Sequence, residues 1–364
     1  MIGVIGLGQA GGNIANLFAE KGVPSLVINY SSKDLETCTS VEHKLKLHGS
    51  EGVGKQRDLA ISLFHNNYEQ SILFTKEHLS SPSIECILIT FSAAGGSGSG
   101  IASILPELLM NEMPDKTFIL CPILPGSYEC VTAQLNTMDT LSTLSDLNAC
   151  IIPIDNQNYI QTEGRNKSFQ HVNETFVNLI MDIVGYTTKH STIGNFDSRD
   201  FLTLFNTEGF CSIGDIDLSV IKDNGVQLSD NAITEKIQQS HNSIFTTPAY
   251  DQIVRAGVIY DGQDSFIRYI SSNEITSKFS NQPIDTFEGY YQSEKGRVVT
   301  IFTGLKFNDE RLAQIQSSAS KNIESFNKSH QGTSIQFERP SINVLSNKPK
   351  AKKSLTAILA KHKK

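Results

Sequence analysis

Ten residues, Phe91 to Gly100, read Phe-Ser-Ala-Ala-Gly-Gly-Ser-Gly-Ser-Gly and stand between two apolar runs of different period. Ahead of them Ile87-Leu88-Ile89-Thr90 has the character of a buried strand, and behind them Ile101 to Met113 has the spacing of a helix. A strand, a glycine loop and a helix start together present several backbone N–H groups and a positive dipole end to one anion. Phosphate suits that geometry. A flexible Gly/Ser linker does not normally sit between two such elements.

Two further glycine segments follow the same rule. Met1 to Ile5 is a short apolar strand that runs into Gly6-Leu7-Gly8-Gln9-Ala10-Gly11-Gly12-Asn13, after which Ile14, Leu17 and Phe18 fall at helical spacing. This is a G-x-G-x-x-G turn with a strand before it and a helix after it, which points to a nucleotide. A dinucleotide would need an acidic residue at the end of the next strand to hold a ribose hydroxyl. The strand from Ser25 ends at Asn29, with Asp34 five residues later, which weakens the case for an NAD(P)-dependent oxidoreductase. The third segment, Gly49 to Asp58, carries Gly52, Gly54 and Lys55 into another helix pattern and can close over a terminal phosphate or stand as a solvated loop.

Strand and helix patterns alternate to about residue 155, through strand Phe118 to Ile123, helix Val131 to Leu144 and strand Cys150 to Ile154. That order predicts a parallel α/β sheet with its ligand at the carboxyl ends of the strands. Phe169, Val172, Phe176, Leu179, Ile180 and Ile183 then mark a long helix with one buried stripe. Next comes Asn195-Phe196-Asp197-Ser198-Arg199-Asp200 at a helix start, where two carboxylates three apart ordinarily act as caps. Beyond it the strands Phe210 to Ile213, Ala256 to Tyr260 and Val298 to Leu305 read as a second, α+β region, and Asp309 to Phe326 as a further helix.

Composition narrows the class. With 364 residues and 39% hydrophobic content the chain can bury a full core. No apolar run reaches the roughly 20 residues that span a bilayer. The glycines at 3, 6 and 8 interrupt any signal-peptide layout, so the expected location is cytoplasmic, with no membrane partner. The six cysteines (Cys38, Cys86, Cys121, Cys130, Cys150 and Cys211) form no C-x-x-C pair and are expected to be buried, reduced thiols. Residues 348 to 364 hold seven lysines and no acid, leaving 24 Lys+Arg against 38 Asp+Glu in the rest, a net −14. An acidic body with a basic tail implies an acidic partner for the tail.

Taken in order, these segments resemble the tubulin/FtsZ superfamily of GTP-dependent filament proteins. Gly6 to Asn13 is similar to its first phosphate loop, Ala94 to Gly100 to its glycine signature, and Asn195, Asp197 and Asp200 to its N-x-D-x-x-D loop. Asn29 to Leu35 and Gly52 to Arg57 resemble most the plasmid- and phage-encoded TubZ group. Ala94 stands where the signature usually has glycine, and Ser97 where it has threonine; both are small enough to keep the loop open.

The resemblance implies a fold and a set of roles. The fold is a parallel-sheet GTP-binding α/β domain over 1–168, a central helix over 169–192, a smaller α+β domain over 193–308, a helix over 309–327, and a linker and basic tail over 328–364. Gly8, Gln9, Ala10 and the loop Ala94, Gly95, Gly96, Ser97, Gly98 and Ser99 would surround the phosphates of GTP or GDP, with Gly52, Gly54 and Lys55 near the γ-phosphate. Glu129 would accept from the ribose, Phe169 would stack on the purine, and Asn13, Asn173 and Asn156 would contact guanine. Mg²⁺ would be held mainly by phosphate oxygens and waters. Asn195, Asp197 and Asp200 would enter the pocket of the next subunit and position the attacking water, so that hydrolysis follows assembly. The implied partners are the chain itself, head to tail, and a DNA-bound adaptor or DNA at the basic tail, for plasmid or phage DNA segregation. A division or phage-positioning filament is the alternative within the same fold.

Overall fold

In the computed structural model, residues 1–158, 165–219, 230–267 and 270–329 are described. The linker and basic tail expected beyond residue 328 lie almost wholly outside them.

The strands are β1 (Ile2–Leu7), β2 (Ser25–Asn29), β3 (His43–Lys46), β4 (Cys86–Ser92), β5 (Thr117–Leu124), β6 (Cys150–Ile151), β7 (Ile154–Asp155), β8 (Gly209–Asp217), β9 (Arg255–Gly262), β10 (Asp285–Gln292) and β11 (Gly296–Leu305). Helices α1 (Gly8–Glu20), α2 (Ser32–Thr37), α3 (Arg57–Phe64), α4 (Tyr68–Leu79), α5 (Ser97–Ala102), α6 (Leu105–Glu112), α7 (Val131–Leu144), α8 (Arg165–Tyr186) and α9 (Ser198–Phe205) follow in chain order. Later helices include Asp230–Gln239 and Asp309–Ser329.

One sheet of eleven strands carries the molecule, in the order β10-β9-β11-β8-β6-β5-β4-β1-β2-β3, with β7 on β5. The half from β6 to β3 is parallel throughout, as the strand and helix alternation predicts. The other half is mixed, with β11 antiparallel to both β8 and β9. The halves meet where β6 pairs with β8, Cys150 beside Gly209 and Ile151 beside Phe210, so a single sheet runs through both regions that the sequence separates.

Both faces of the sheet are covered, which is why its strands read as nearly continuous apolar runs. Along β4, Ile87, Ile89 and Phe91 join one core layer while Cys86 and Leu88 join the other, the two-residue period of a strand. Helix α8 lies in the second layer. Its Val172, Phe176, Leu179, Ile180 and Ile183 share that layer with Cys121 of the parallel half and Ile213 and Val299 of the mixed half.

One expected helix is two. Ile101 to Met113 reads as a single run, yet α5 ends at Ala102 and α6 begins at Leu105. Pro106 sits in the first turn of α6, and a proline without an N–H cannot continue the preceding helix. In turn, α5 starts at Ser97, inside the glycine loop, so loop and helix N-terminus are one structure.

Candidate functional site

The glycine loops leave the carboxyl ends of β1 and β4, which are parallel neighbours, and therefore arrive side by side. Gly8 opens α1 at φ +68° and is packed so tightly that a Cβ there would lie 2.8 Å from the nitrogen of Gly98. The third segment nests on the second. A Cβ on Gly96 would lie 2.9 Å from the Cα of Lys55, and Lys55 is itself held at φ 65°, a region non-glycine residues seldom occupy. Gly54 and Lys55 are exposed, while Ala94, Gly96, Gly98 and Ser99 are buried.

A residue that the sequence reading does not single out ties these loops together. Asn136 of α7 is 7% exposed, and its amide nitrogen donates to the carbonyls of Lys55 (3.0 Å), Ala94 (3.3 Å) and Gly95 (3.0 Å). Arg57 adds a second fastening from the same segment, donating to Ser103 Oγ (2.7 Å) and Thr143 Oγ1 (3.1 Å), and burial lowers its pKa. The signal was present in α7, whose buried face includes Gln134, Asn136, Thr137 and Thr140. Polar residues inside a helix stripe need partners; loop carbonyls serve Gln134, Asn136 and Thr140, while Thr137 donates back to Ala133 of its own helix.

The turn after β5 closes another side. Gly126 N–H donates to the Glu129 carboxylate (3.3 Å), and Ser127 N–H donates to Gln157 Oε1 (2.6 Å), which sets this turn beside Asn156. Lys55 Nζ stands 3.3 Å from Cys130 Sγ. Cys130 is exposed, against the expectation of buried thiols, because it falls in this turn at the start of α7; the other five are buried. Burial pushes its thiol up, but the Ala133 N–H and Lys55 outweigh that and hold its pKa below the ordinary value. Behind the turn, Arg311 donates to Asp155 Oδ2 (2.6 Å) and Oδ1 (2.9 Å) and to the Pro125 carbonyl (2.6 Å).

Asn13 is exposed on α1, and Phe169 and Asn173 are half-buried on α8. The two helices touch through Phe18 and Phe176, whose ring centroids are 6.2 Å apart. Asn29, at the position where a dinucleotide site wants a carboxylate, is 1% exposed and fully engaged in its own turn, donating to Asp34 (3.0 Å) and accepting from Tyr30 N–H (2.8 Å).

Asn195, Asp197 and Asp200 are not part of this gathering. Arg199 and Leu202 of α9, with Asn206 directly after it, line a groove with Glu85 and Thr117, which stand at the amino ends of β4 and β5. The glycine loop leaves the other end of β4, whose seven residues at about 3.3 Å each span about 20 Å. The acidic residues form a capping box: Asp197 accepts from the N–H groups of Arg199 (2.7 Å) and Asp200 (3.0 Å), and Asp200 accepts from Asp197 N–H (3.0 Å). The capping role is therefore real. Burial first, and then the Asp197 charge, raise the Asp200 pKa against the opposing pull of its backbone hydrogen bond.

A doubly covered α/β sheet with three glycine loops at the carboxyl ends of its parallel strands is the architecture of a nucleotide-binding protein. Residues 1–163 match the Tubulin/FtsZ family, GTPase domain. The chain is 24% identical over 347 residues to the tubulin-like protein CetZ of Thermococcus kodakarensis, covering 89% of this chain and 87% of that protein. It is 30% identical over 184 residues to the tubulin-like protein TubZ of Clostridium botulinum C phage, which is 48% of this chain and 50% of that one. A GTPγS-form protofilament of Bacillus thuringiensis serovar israelensis TubZ shares the fold at a TM-score of 0.74, with 16% identity, 90% of this chain and 93% of that chain covered. Over residues 1–163 the chain is thus similar to the tubulin/FtsZ GTPase domain family, and its fold is shared with TubZ.

Proposed function

We propose that this protein binds and hydrolyses GTP and polymerises head to tail into dynamic filaments, each active site being completed by the next subunit. The observation that carries the reading is the placement of two loops at opposite edges of one sheet: the glycine loops at the carboxyl ends of its parallel strands and the Asn195–Asp200 loop beside their amino ends. Stacking subunits along the strand direction brings the acidic loop of one onto the glycine loops of its neighbour. Such a contact is heterologous and does not close, so it yields a filament.

Within each composite site, the backbone N–H groups of Gly8 to Ala10 and Ala94 to Ser99 hold the phosphates, and Gly52, Gly54 and Lys55 cover the γ-phosphate. Glu129 takes the ribose, and Phe169, Asn13, Asn173 and Asn156 take the base. Mg²⁺ enters with the triphosphate, whose charge it neutralises while phosphate oxygens and waters hold it. From the neighbouring subunit, Asp200 and Asp197 polarise the attacking water and Asn195 shapes the loop that carries them.

Turnover per molecule should rise steeply above a threshold protein concentration, in step with light scattering after GTP is added. A rate per molecule that stays flat with concentration would rule out the shared site. For the cargo, the seven lysines between residues 348 and 364 favour DNA segregation through a DNA-bound adaptor. Deleting Pro349 to Lys364 should leave assembly intact and remove salt-sensitive binding to that complex.

A further inference from the structure

The Asn195–Asp200 loop has to hold its carboxylates still at the surface, yet residues on both sides of Phe196 are exposed. Its anchor is the inside of the loop. Phe196 is fully buried, and its backbone N–H donates to the hydroxyl of Tyr291 at 3.0 Å. The same hydroxyl donates onward to the Tyr186 carbonyl (3.1 Å), the last residue of α8. Tyr291 is 4% exposed, and its ring stacks on that of Tyr186 with centroids 5.2 Å apart. The Tyr186 hydroxyl is engaged elsewhere, donating to Asp261 (2.9 Å), which also receives Lys189 (3.0 Å). One phenol oxygen therefore joins the end of the central helix to the residue directly before Asp197.

We infer that Tyr291 is a positioning residue for hydrolysis: its hydroxyl sets the height and orientation of the Asn195–Asp200 loop that the neighbouring subunit receives. This rests on the reading that the loop works in trans. The residue touches neither nucleotide nor water in that arrangement; it acts by fixing the Phe196 backbone. Because Phe169 and Asn173 stand four and eight residues into the 22-residue α8 and Tyr186 ends it, a separation of about 20–26 Å at 1.5 Å per residue, the hydroxyl is remote from the nucleotide pocket of its own subunit.

The test compares Tyr291→Phe, Tyr186→Phe and Asp200→Asn in the full chain, measuring GTP affinity, polymer mass, and kcat and KM of the assembled protein. Tyr291→Phe keeps the stacked ring and removes only the oxygen that holds Phe196. Its kcat should fall about tenfold or more at equal polymer mass, with GTP affinity and KM within twofold of wild type. Tyr186→Phe deletes the adjacent hydroxyl, which bonds Asp261 and not the loop, and should keep kcat within twofold. Equal losses in both tyrosine variants, or full turnover in Tyr291→Phe polymer, overturn the assignment. Asp200→Asn separates the two ideas. If it stops turnover while Tyr291→Phe does not, only the positioning role fails; if it turns over normally, the composite site itself fails.

Discussion

Gly8 and Gly98 meet backbone to backbone, with only 2.8 Å between the nitrogen of Gly98 and the place a Cβ on Gly8 would occupy. The two glycine loops are thus each other's packing partners. Replacing Gly98 tests that packing as much as any ligand, since a Cβ there would stand 2.7 Å from the Leu7 carbonyl. Gly98→Val should destabilise the fold, by about 1–3 kcal/mol of overpacking, and abolish GTP binding together. Gly95 is the cleaner probe, because a Cβ there meets only Ser92 at 3.7 Å, an ordinary contact. Gly95→Ala should melt like wild type yet bind GTP at least about tenfold more weakly, as the methyl enters the space where phosphate approaches the backbone. Calorimetry showing unchanged GTP affinity in a folded Gly95→Ala protein would remove this loop from the site.

Asn136 holds three carbonyls of two loops from one buried amide. Asn136→Ala leaves those acceptors without their donor, and a buried polar group stripped of its partner costs about 1–3 kcal/mol. Urea unfolding should register a loss of that size. GTP affinity should fall as well, because the Lys55 segment is no longer pinned to the Ala94–Gly95 turn. Wild-type affinity in a measurably destabilised Asn136→Ala protein would confine the residue to a purely structural role.

Arg311 and Asp155 form a bidentate pair in which the two side chains are 7% and 1% exposed. Removing one member of a buried pair leaves the other charge uncompensated, so Arg311→Ala should cost about 3–5 kcal/mol. Replacing both with apolar residues of similar volume should recover most of that loss. The nucleotide effect is separable. Arg311 also holds the Pro125 carbonyl, four residues before Glu129, so a double variant restored in stability should still bind GTP more weakly than wild type. Full affinity in the double variant would show that the turn needs no such brace.

What the sequence made legible follows a physical division. Strands and helices with long apolar patterns were readable because periodicity reports burial: α7 falls on Val131–Leu144 as expected, and the stripe of α8 is buried from Val172 onward. Glycine loops were readable because strand, loop and helix come in order along the chain. The continuity of the sheet through β6 and β8 was not, since it rests on two residue pairs between segments nearly 60 positions apart. Asn136, Arg311 and Tyr291 escaped for a related reason. Each acts through partners distant in sequence, and a polar residue in an apolar stripe announces that it needs a partner without saying which. The N-x-D-x-x-D loop carries two senses in the sequence, and of these the structure contains the cap.

Those two senses can be pulled apart at Asp200. Its carboxylate accepts the Asp197 N–H, a bond that Asp200→Asn can keep through its amide oxygen and Asp200→Ala cannot. As a cap alone, the residue predicts that Asn is nearly silent and that Ala costs about 0.5–2 kcal/mol with hydrolysis intact. As a water-polarising group acting in trans, it predicts that both variants bind GTP normally, assemble, and lose turnover by about a hundredfold or more, with only Ala also losing stability. The pH dependence carries the same distinction. Burial, with the neighbouring Asp197 charge, raises the Asp200 pKa, so the rise of kcat with pH should begin above the ordinary aspartate value of about 3.9. A carboxyl with a raised folded pKa stabilises the native state below its unfolded pKa, and that contribution is lost as pH rises through the folded value. Asp200→Asn should therefore lack both the acidic limb of the activity profile and this part of the stability profile. A wild-type rate in Asp200→Asn polymer would leave the loop as a cap and nothing more.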